Sequence, residues 1–347
     1  MIDHARYAAA AREAVIAASI VCREVQDNLE KVRAMTKDDK SPVTIADLAS
    51  QAVVGMVLKQ KLGEDLHLVA EEDSAFLRDE DNSIFLDATV AAVQGVWEGA
   101  TEQKVLDAID LGAGDTDHHS FWTLDPIDGT KGFLRNQQYA VALGFVEHGT
   151  PTIGVMGCPN LPVDMSAPLD ERDNHGCLYM AIQGDGVYES ACDDVNAPTI
   201  RITRLDHVEG EEISVCASVE KAHTNMNDTD RILEWIEQQG LGHPGEPARL
   251  DSQCKYAVVA RGQADAYLRL PSKKPYVERI WDHAAGSCIA SESGAFVTDI
   301  FGRNLDFSTG RGLENNKGIV CAPPRIHGVL IRAIEELGIG KDQATSA

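Results

Sequence analysis

The apolar residues of this chain change their spacing twice, and the order of those changes restricts the fold more than any other feature. From about residue 4 to residue 34 they recur at helical intervals, with Ala8, Ala11, Val15, Ala18, Val21, Val25 and Leu29 among interleaved charges. The spacing predicts one long amphipathic helix. After the polar stretch 36–41, Pro42 and Thr44 introduce a second helix, predicted from 45 to about 61 and closed by Gly63, with Asp47 in its first turn. From Phe121 onward short apolar runs replace the helical period, at 139–146, 152–157, 177–182 and 186–188. These read as hairpins of an antiparallel sheet. Beyond the acid-rich connection 206–212 the pattern alternates: strand 213–217, helices 228–239 and 252–261, strand 264–270, helix 281–293. Alternation of this kind indicates α/β structure with partly parallel strands. Two halves are therefore expected, residues 1–207 and 208–347, with a disordered tail from about 341.

A length of 347 residues exceeds one typical domain and leaves room for a sizeable core. The net charge of −24 and the sequence pI near 4.7 set the long-range field. Such a field repels polymeric phosphate and anionic lipid, which excludes nucleic acid and membrane surfaces as partners. Small phosphorylated molecules escape that objection, because bound metal ions and a few local cations can reverse the field inside one cleft. The eight cysteines (22, 158, 177, 192, 216, 254, 288 and 321) form no C-x-x-C pair, which is poor material for a zinc site or a disulfide framework. A reduced, cytoplasmic monomer is the expectation. Arg12, Glu13, Arg23 and Glu24 interrupt any signal-peptide core or membrane span near the N-terminus.

The richest chemistry lies in Asp125-Pro126-Ile127-Asp128-Gly129-Thr130-Lys131-Gly132-Phe133. In a regular strand Asp125 and Asp128 would face opposite sides, so both can serve one site only if the backbone turns. Pro126 and Gly129 suit a turn. Two carboxylates about 4 Å apart repel by roughly 4 kcal/mol at an effective dielectric near 20, a cost that divalent cations remove. The pair therefore reads as a set of Mg²⁺ ligands. Three other acidic features could converge on it, and each has a structural alternative. Thr44-x-x-Asp47 has the form of a capping box. Glu71-Glu72 follows an apolar run, as a solvated strand end would, and Asp282 stands where an N-cap belongs.

Together these strings resemble one family. Ser41-Pro42-Val43-Thr44-x-x-Asp47, Glu71-Glu72, Asp125 to Thr130 and Trp281-Asp282-His283-Ala284-Ala285-Gly286 occur in the order and spacing of the inositol monophosphatase-like, lithium-sensitive phosphatases. Lys131-Gly132-Phe133 after the Gly-Thr resembles the 3′(2′),5′-bisphosphate nucleotidase branch. The likeness spans roughly residues 40 to 295, and departs from the family at Ala70, where glycine is usual.

The resemblance implies a layered α-β-α-β-α sandwich of mixed α/β (α+β) class, with the site between its halves. It implies that Glu71, Asp125 and the Ile127 carbonyl hold one Mg²⁺ and that Asp125, Asp128 and Asp282 hold a second. Glu72 could reach a third ion through water. Asp47 and Thr130 would form the dyad that activates a water for in-line displacement. Backbone N–H groups of Gly129 and Thr130 would cradle phosphate. The branch places His223, Ser252, Lys255 and Arg269 in a nucleotide pocket, the two cations receiving a second phosphate. The implied activity is Mg²⁺-dependent removal of the 3′-phosphate of adenosine 3′,5′-bisphosphate, with the sulfated analogue as a second substrate and lithium as inhibitor. That activity would link the enzyme to sulfur assimilation and salt tolerance. An inositol phosphatase is the close rival. A silent nucleotide sensor is a remote one, since a binding module needs no water-activating dyad.

Overall fold

A computed structural model describes residues 2–36, 41–219, 226–271 and 276–341. Helix α1 (His4–Asp27) is capped by Asp3, whose carboxylate accepts from the Arg6 N–H at 3.1 Å. The helix does not run on to residue 34. At Asn28 the side-chain amide bonds the Glu24 carbonyl at 2.8 Å, a local bond that competes with the helical ladder, and α2 (Leu29–Thr36) follows as a separate piece. Helix α3 (Ser41–Leu62) begins earlier than expected, because a proline in the first turn lacks only an N–H that has no intrahelical partner. Asp47 consequently sits past the first turn, and the capping alternative falls away. Pro42–Leu62 is, among the described residues, the one stretch long and apolar enough to cross a bilayer, and it is mostly buried in the protein.

Strand β1 (Leu68–Ala70) leads into α4 (Ala75–Arg78), α5 (Ser83–Gln94) and α6 (Glu102–Asp110), which the sequence reading did not anticipate. Then come β2 (Ser120–Asp128), the short α7 (Thr130–Leu134), β3 (Ala140–Glu147), β4 (Thr150–Cys158), β5 (Cys177–Ile182), β6 (Gly186–Ala191) and β7 (Ile200–Ile202). These seven strands form one sheet in sequence order, antiparallel except for the β1–β2 pair.

The C-terminal half contains β8 (Glu212–Ile213), β9 (Val215–Ala217), α8 (Met226–Gln238), β10 (His243–Pro244), β11 (Ala248–Arg249) and α9 (Cys254–Ala260). After them come β12 (Ala266–Arg269), α10 (Ala284–Ser293), β13 (Phe296–Thr298), β14 (Ile319–Ala322) and α11 (Pro324–Glu336). Its five-stranded sheet runs β11-β9-β12-β14-β13, parallel through β11, β9 and β12 and antiparallel beyond. We propose the boundary between the halves at 207/208, in the connection from β7 to β8.

The layers follow from which faces are apolar. Val141, Leu143 and Phe145 point from β3 into a core shared with α1 and α3, whereas Ala140 and Ala142 point into the core around α9 and α10. A third core packs α8 and α11 on the outer face of the second sheet. The result is an α-β-α-β-α sandwich. On the α10 side β3 and β4 pair Gly144 with Gly154. A Cβ on Gly144 would stand 2.8 Å from the Ala284 Cβ, and one on Gly154 would stand 2.6 Å from the Ala285 carbonyl oxygen. Only glycine lets α10 sit this close, and that seating brings Asp282 to the first sheet.

Candidate active site

Strand β2 does not turn at Asp125 as the sequence suggested. It continues to Asp128 through a bulge. Asp125 pairs with Ala142 and Asp128 with Ala140, so three steps along β2 match two along β3. The extra residue reverses the alternation and sends both carboxylates to one side. Pro126 is tolerated there because a bulge frees its position from donating to the ladder. The chain turns only at Gly129, with φ +92°, where a Cβ would lie 2.8 Å from that of Ser252. Helix α7 starts at the next residue.

A polar stripe on α3 faces this bulge. Asp47, Ser50 and Gln51, at i, i+3 and i+4, are all buried in an otherwise apolar helix. The Ser50 hydroxyl donates to the Pro126 carbonyl at 3.0 Å. The Gln51 amide donates to the Glu72 carbonyl at 2.7 Å and accepts from the Glu72 N–H at 3.1 Å, fixing the segment that carries Glu71. Asp282 is no helix cap: α10 begins at Ala284, and the cap position is His283, which makes no side-chain capping bond. Gln253 ties this segment to the bulge. Its N–H donates to Asp128 Oδ2 at 2.7 Å, its amide donates to the Trp281 carbonyl at 2.9 Å, and its Oε1 accepts from the Gly286 N–H at 3.2 Å. Ser252, at φ +67°, makes the backbone corner that aims Gln253, so α9 starts at Cys254 and not at 252.

Five acids thus meet across both halves. Burial pushes the Asp125 carboxyl well above its usual range, and Asp128, Glu71, Asp282 and Asp47 push it further. Burial and then Glu72 and Glu71 raise Asp47. Glu71 is driven up to about 7 by burial, Glu72 and Asp128, against the pull of Arg279. Asp282 is driven up to about 8 by burial, Asp128 and Glu71, with Arg269 opposing. Asp125 is 2% exposed, and its Oδ1 meets no hydrogen-bond donor among the described residues. A buried acceptor without a partner, among acids that repel one another, fits a hard divalent cation, and an all-oxygen donor set favours such ions over zinc.

The same shifts fix the sign of a pH effect. Without a cation the folded chain keeps protons on Glu71 to about pH 7 and on Asp282 to about pH 8. Unfolded carboxylates release theirs near pH 4, so in that interval the folded state binds more protons and stability falls as pH rises. The melting temperature in EDTA is expected to drop between about pH 4 and pH 8, and excess divalent cation should remove most of the drop. A flat EDTA profile would show that these acids do not share one site.

Next to the acids is a cavity of about 220 Å³ lined by Asp128, Gly129, Thr130, Ser252, Lys255 and Arg269 among others. Burial lowers the Lys255 ammonium, while Asp128 and Asp251 support its charge. Its Nζ donates to the Ser252 carbonyl at 3.3 Å and lies 5.4 Å from the Tyr267 ring centre. Arg269 Nε pairs with Glu278 at 2.7 Å. Glu278 also meets His283 Nε2 at 3.3 Å, and His283 Nδ1 meets the Tyr256 hydroxyl at 2.9 Å. Glu278, Asp282 and His283 lie close enough to share an ion. Arg269 and His283 both meet Glu278 at Oε2, and Asp282 lies in the field of Asp128 and Glu71. His118 and His119 are exposed, with their rings beside those of His67 and His148. His223 lies outside the described residues.

Sequence reasoning missed Ser50, Gln51 and Glu278 and gave Gln253 no part in the metal site. For the first two a signal was present, since two polar residues share the Asp47 face of an apolar helix.

The sequence profile of the inositol monophosphatase family matches residues 3–338. The chain belongs to the inositol monophosphatase family. Metal dependence is general in that family. Among curated relatives, the 3′(2′),5′-bisphosphate nucleotidase of Schizosaccharomyces pombe is 38% identical over 335 residues, covering 92% of each chain. The enzyme of that name from Emericella nidulans is 39% identical, covering 93% of this chain and 96% of its own. The one from Oryza sativa is 38% identical over 97% of this chain and 96% of its own. The solved inositol monophosphatase of Anabaena superposes with a TM-score of 0.59 at 19% identity, covering 96% of this chain and 97% of that one. CysQ of Bacteroides thetaiotaomicron, a bacterial member of the inositol monophosphatase family, gives 0.60 at 20% identity, with 91% and 97% covered. These likenesses bear out the α-β-α-β-α architecture.

Proposed function

We propose that this enzyme removes the 3′-phosphate of adenosine 3′,5′-bisphosphate, giving AMP and phosphate, with Mg²⁺ as its cofactor and the sulfated analogue as a second substrate. One observation carries this reading. The cavity has an acidic wall at Asp128 beside Thr130 and a cationic wall at Lys255 and Arg269, so it can serve two anionic groups of one small molecule. A monophosphate would offer the second wall no anionic group of its own to bind. The names of the relatives at 36–39% identity point the same way.

In this reading Glu71, Asp125 and the Ile127 carbonyl hold one Mg²⁺, while Asp125, Asp128 and Asp282 hold another. When bound, the ions would acidify the attacking water and offset charge on the ester and leaving oxygens. Thr130 orients that water through its hydroxyl, and Asp47 behind it takes up the proton. The N–H groups of Gly129 and Thr130, at the start of α7, cradle the phosphate being cleaved. Ser252 adds a neutral hydrogen bond, and Lys255 and Arg269 receive the 5′-phosphate.

The test is phosphate release from adenosine 3′,5′-bisphosphate, inositol 1-phosphate and inositol 1,4-bisphosphate, with and without Mg²⁺. Preference for either inositol phosphate would overturn the substrate assignment. Lys255→Ala is expected to remove one charged hydrogen bond to the second phosphate. That costs about 1.5–3 kcal/mol, or roughly 10- to 100-fold in KM for the bisphosphate. A monophosphate should be nearly unaffected; an equal loss on both would place Lys255 elsewhere in the reaction.

A further inference from the structure

Residues 311–313 belong to no motif discussed above, yet they join two of the acidic segments. The Ile280 N–H donates to the Arg311 carbonyl at 3.2 Å, and the Leu313 N–H donates to the Glu278 carbonyl at 2.8 Å. Arg279 and Gly312 form a β-bridge between those bonds. From this anchor the Arg311 side chain crosses to the first half of the molecule. Its Nη2 donates to the Ala70 carbonyl at 2.5 Å, and its guanidinium lies 4.7 Å from the ring centre of Trp281. Ala70 immediately precedes Glu71, and Trp281 immediately precedes Asp282. Trp281 is itself buried and bonded through its carbonyl to Gln253, so the ring is a fixed platform.

We propose that Arg311 is a positioning residue for the metal site: it fixes Glu71 relative to Asp282 by gripping the backbone before one and the ring before the other. The planar guanidinium suits this double task, because one edge donates while the face stacks; a lysine ammonium offers the donor without the plane. The proposal rests on the metal reading given above.

The experiment titrates Mg²⁺ against the EDTA-treated full chain and follows melting temperature, with turnover as a second readout. Groups that orient metal ligands typically contribute 10- to 100-fold in metal affinity. R311Q is therefore expected to raise the half-saturating Mg²⁺ for the thermal shift by about that factor. Its melting temperature in EDTA should stay near that of the unaltered chain, and kcat at saturating Mg²⁺ should be largely kept. R311K should fall between the two. An unchanged half-saturating Mg²⁺ in R311Q overturns the proposal, as does a loss explained wholly by lower stability in EDTA. Should R311Q not fold, R311K decides: a several-fold rise supports the role, and an unaltered value rejects it. If the unaltered chain shows no Mg²⁺ shift, the metal reading itself fails; if it does and both variants match it, only the role of Arg311 fails.

Discussion

Asp125→Asn is expected to abolish turnover while making the metal-free protein more stable. These opposite effects share one cause. Asp125 is buried and sits in the field of Asp128, Glu71, Asp282 and Asp47, so its charge destabilises the folded chain until a cation arrives. An amide of the same shape removes that repulsion, and the melting temperature in EDTA should rise. It also removes the shared anionic ligand from both proposed ion positions. A loss of about 4 kcal/mol in transition-state stabilisation, roughly 10³-fold in rate, is a modest estimate for such a change. The Mg²⁺-induced thermal shift should shrink with it. Normal turnover with an unchanged EDTA melting temperature would remove Asp125 from the site altogether.

Asp47→Asn should divide the same two readouts differently. The carboxylate is proposed to receive a proton by way of Thr130 and not to bind an ion. Its removal should therefore lower kcat by about 10²- to 10⁴-fold, the usual worth of a positioned base. KM and the Mg²⁺-induced thermal shift should stay near their unaltered values. Because Asp47 is also held among acids, the variant should gain some stability in EDTA. Loss of the thermal shift along with kcat would make Asp47 a ligand and leave Thr130 without an acid behind it.

What the sequence made legible here depended on how each residue acts. Asp47, Glu71, Asp125, Asp128 and Asp282 were singled out because four strings occurred together in one order, although each acid taken alone has an ordinary structural reading. Gln253 and Arg311 were not, since each acts on backbone carbonyls of segments remote in the chain, and glutamine or arginine can do that from many local contexts. The hairpins of β3 to β6 followed from short apolar runs set between turn signals. The bulge in β2 did not, because Pro126 and Gly129 suit a turn as well as a one-residue slip. Helix α5 escaped notice because Ile84, Phe85 and Leu86 are consecutive and apolar and define no single face. The division of the long N-terminal helix turned on one amide bond at Asn28, too local for a periodicity to reveal.

The seating of α10 against the glycine-lined strands β3 and β4 bears on how the protein is made. Asp282 emerges from the ribosome long after Asp47, Glu71, Asp125 and Asp128, and is delivered only when a helix encoded late docks on a sheet encoded early. A prematurely terminated product would therefore display a bare furrow of small residues and an unfinished ring of acids. On the proposed metal reading, ion capture therefore waits until the chain has been made through α10.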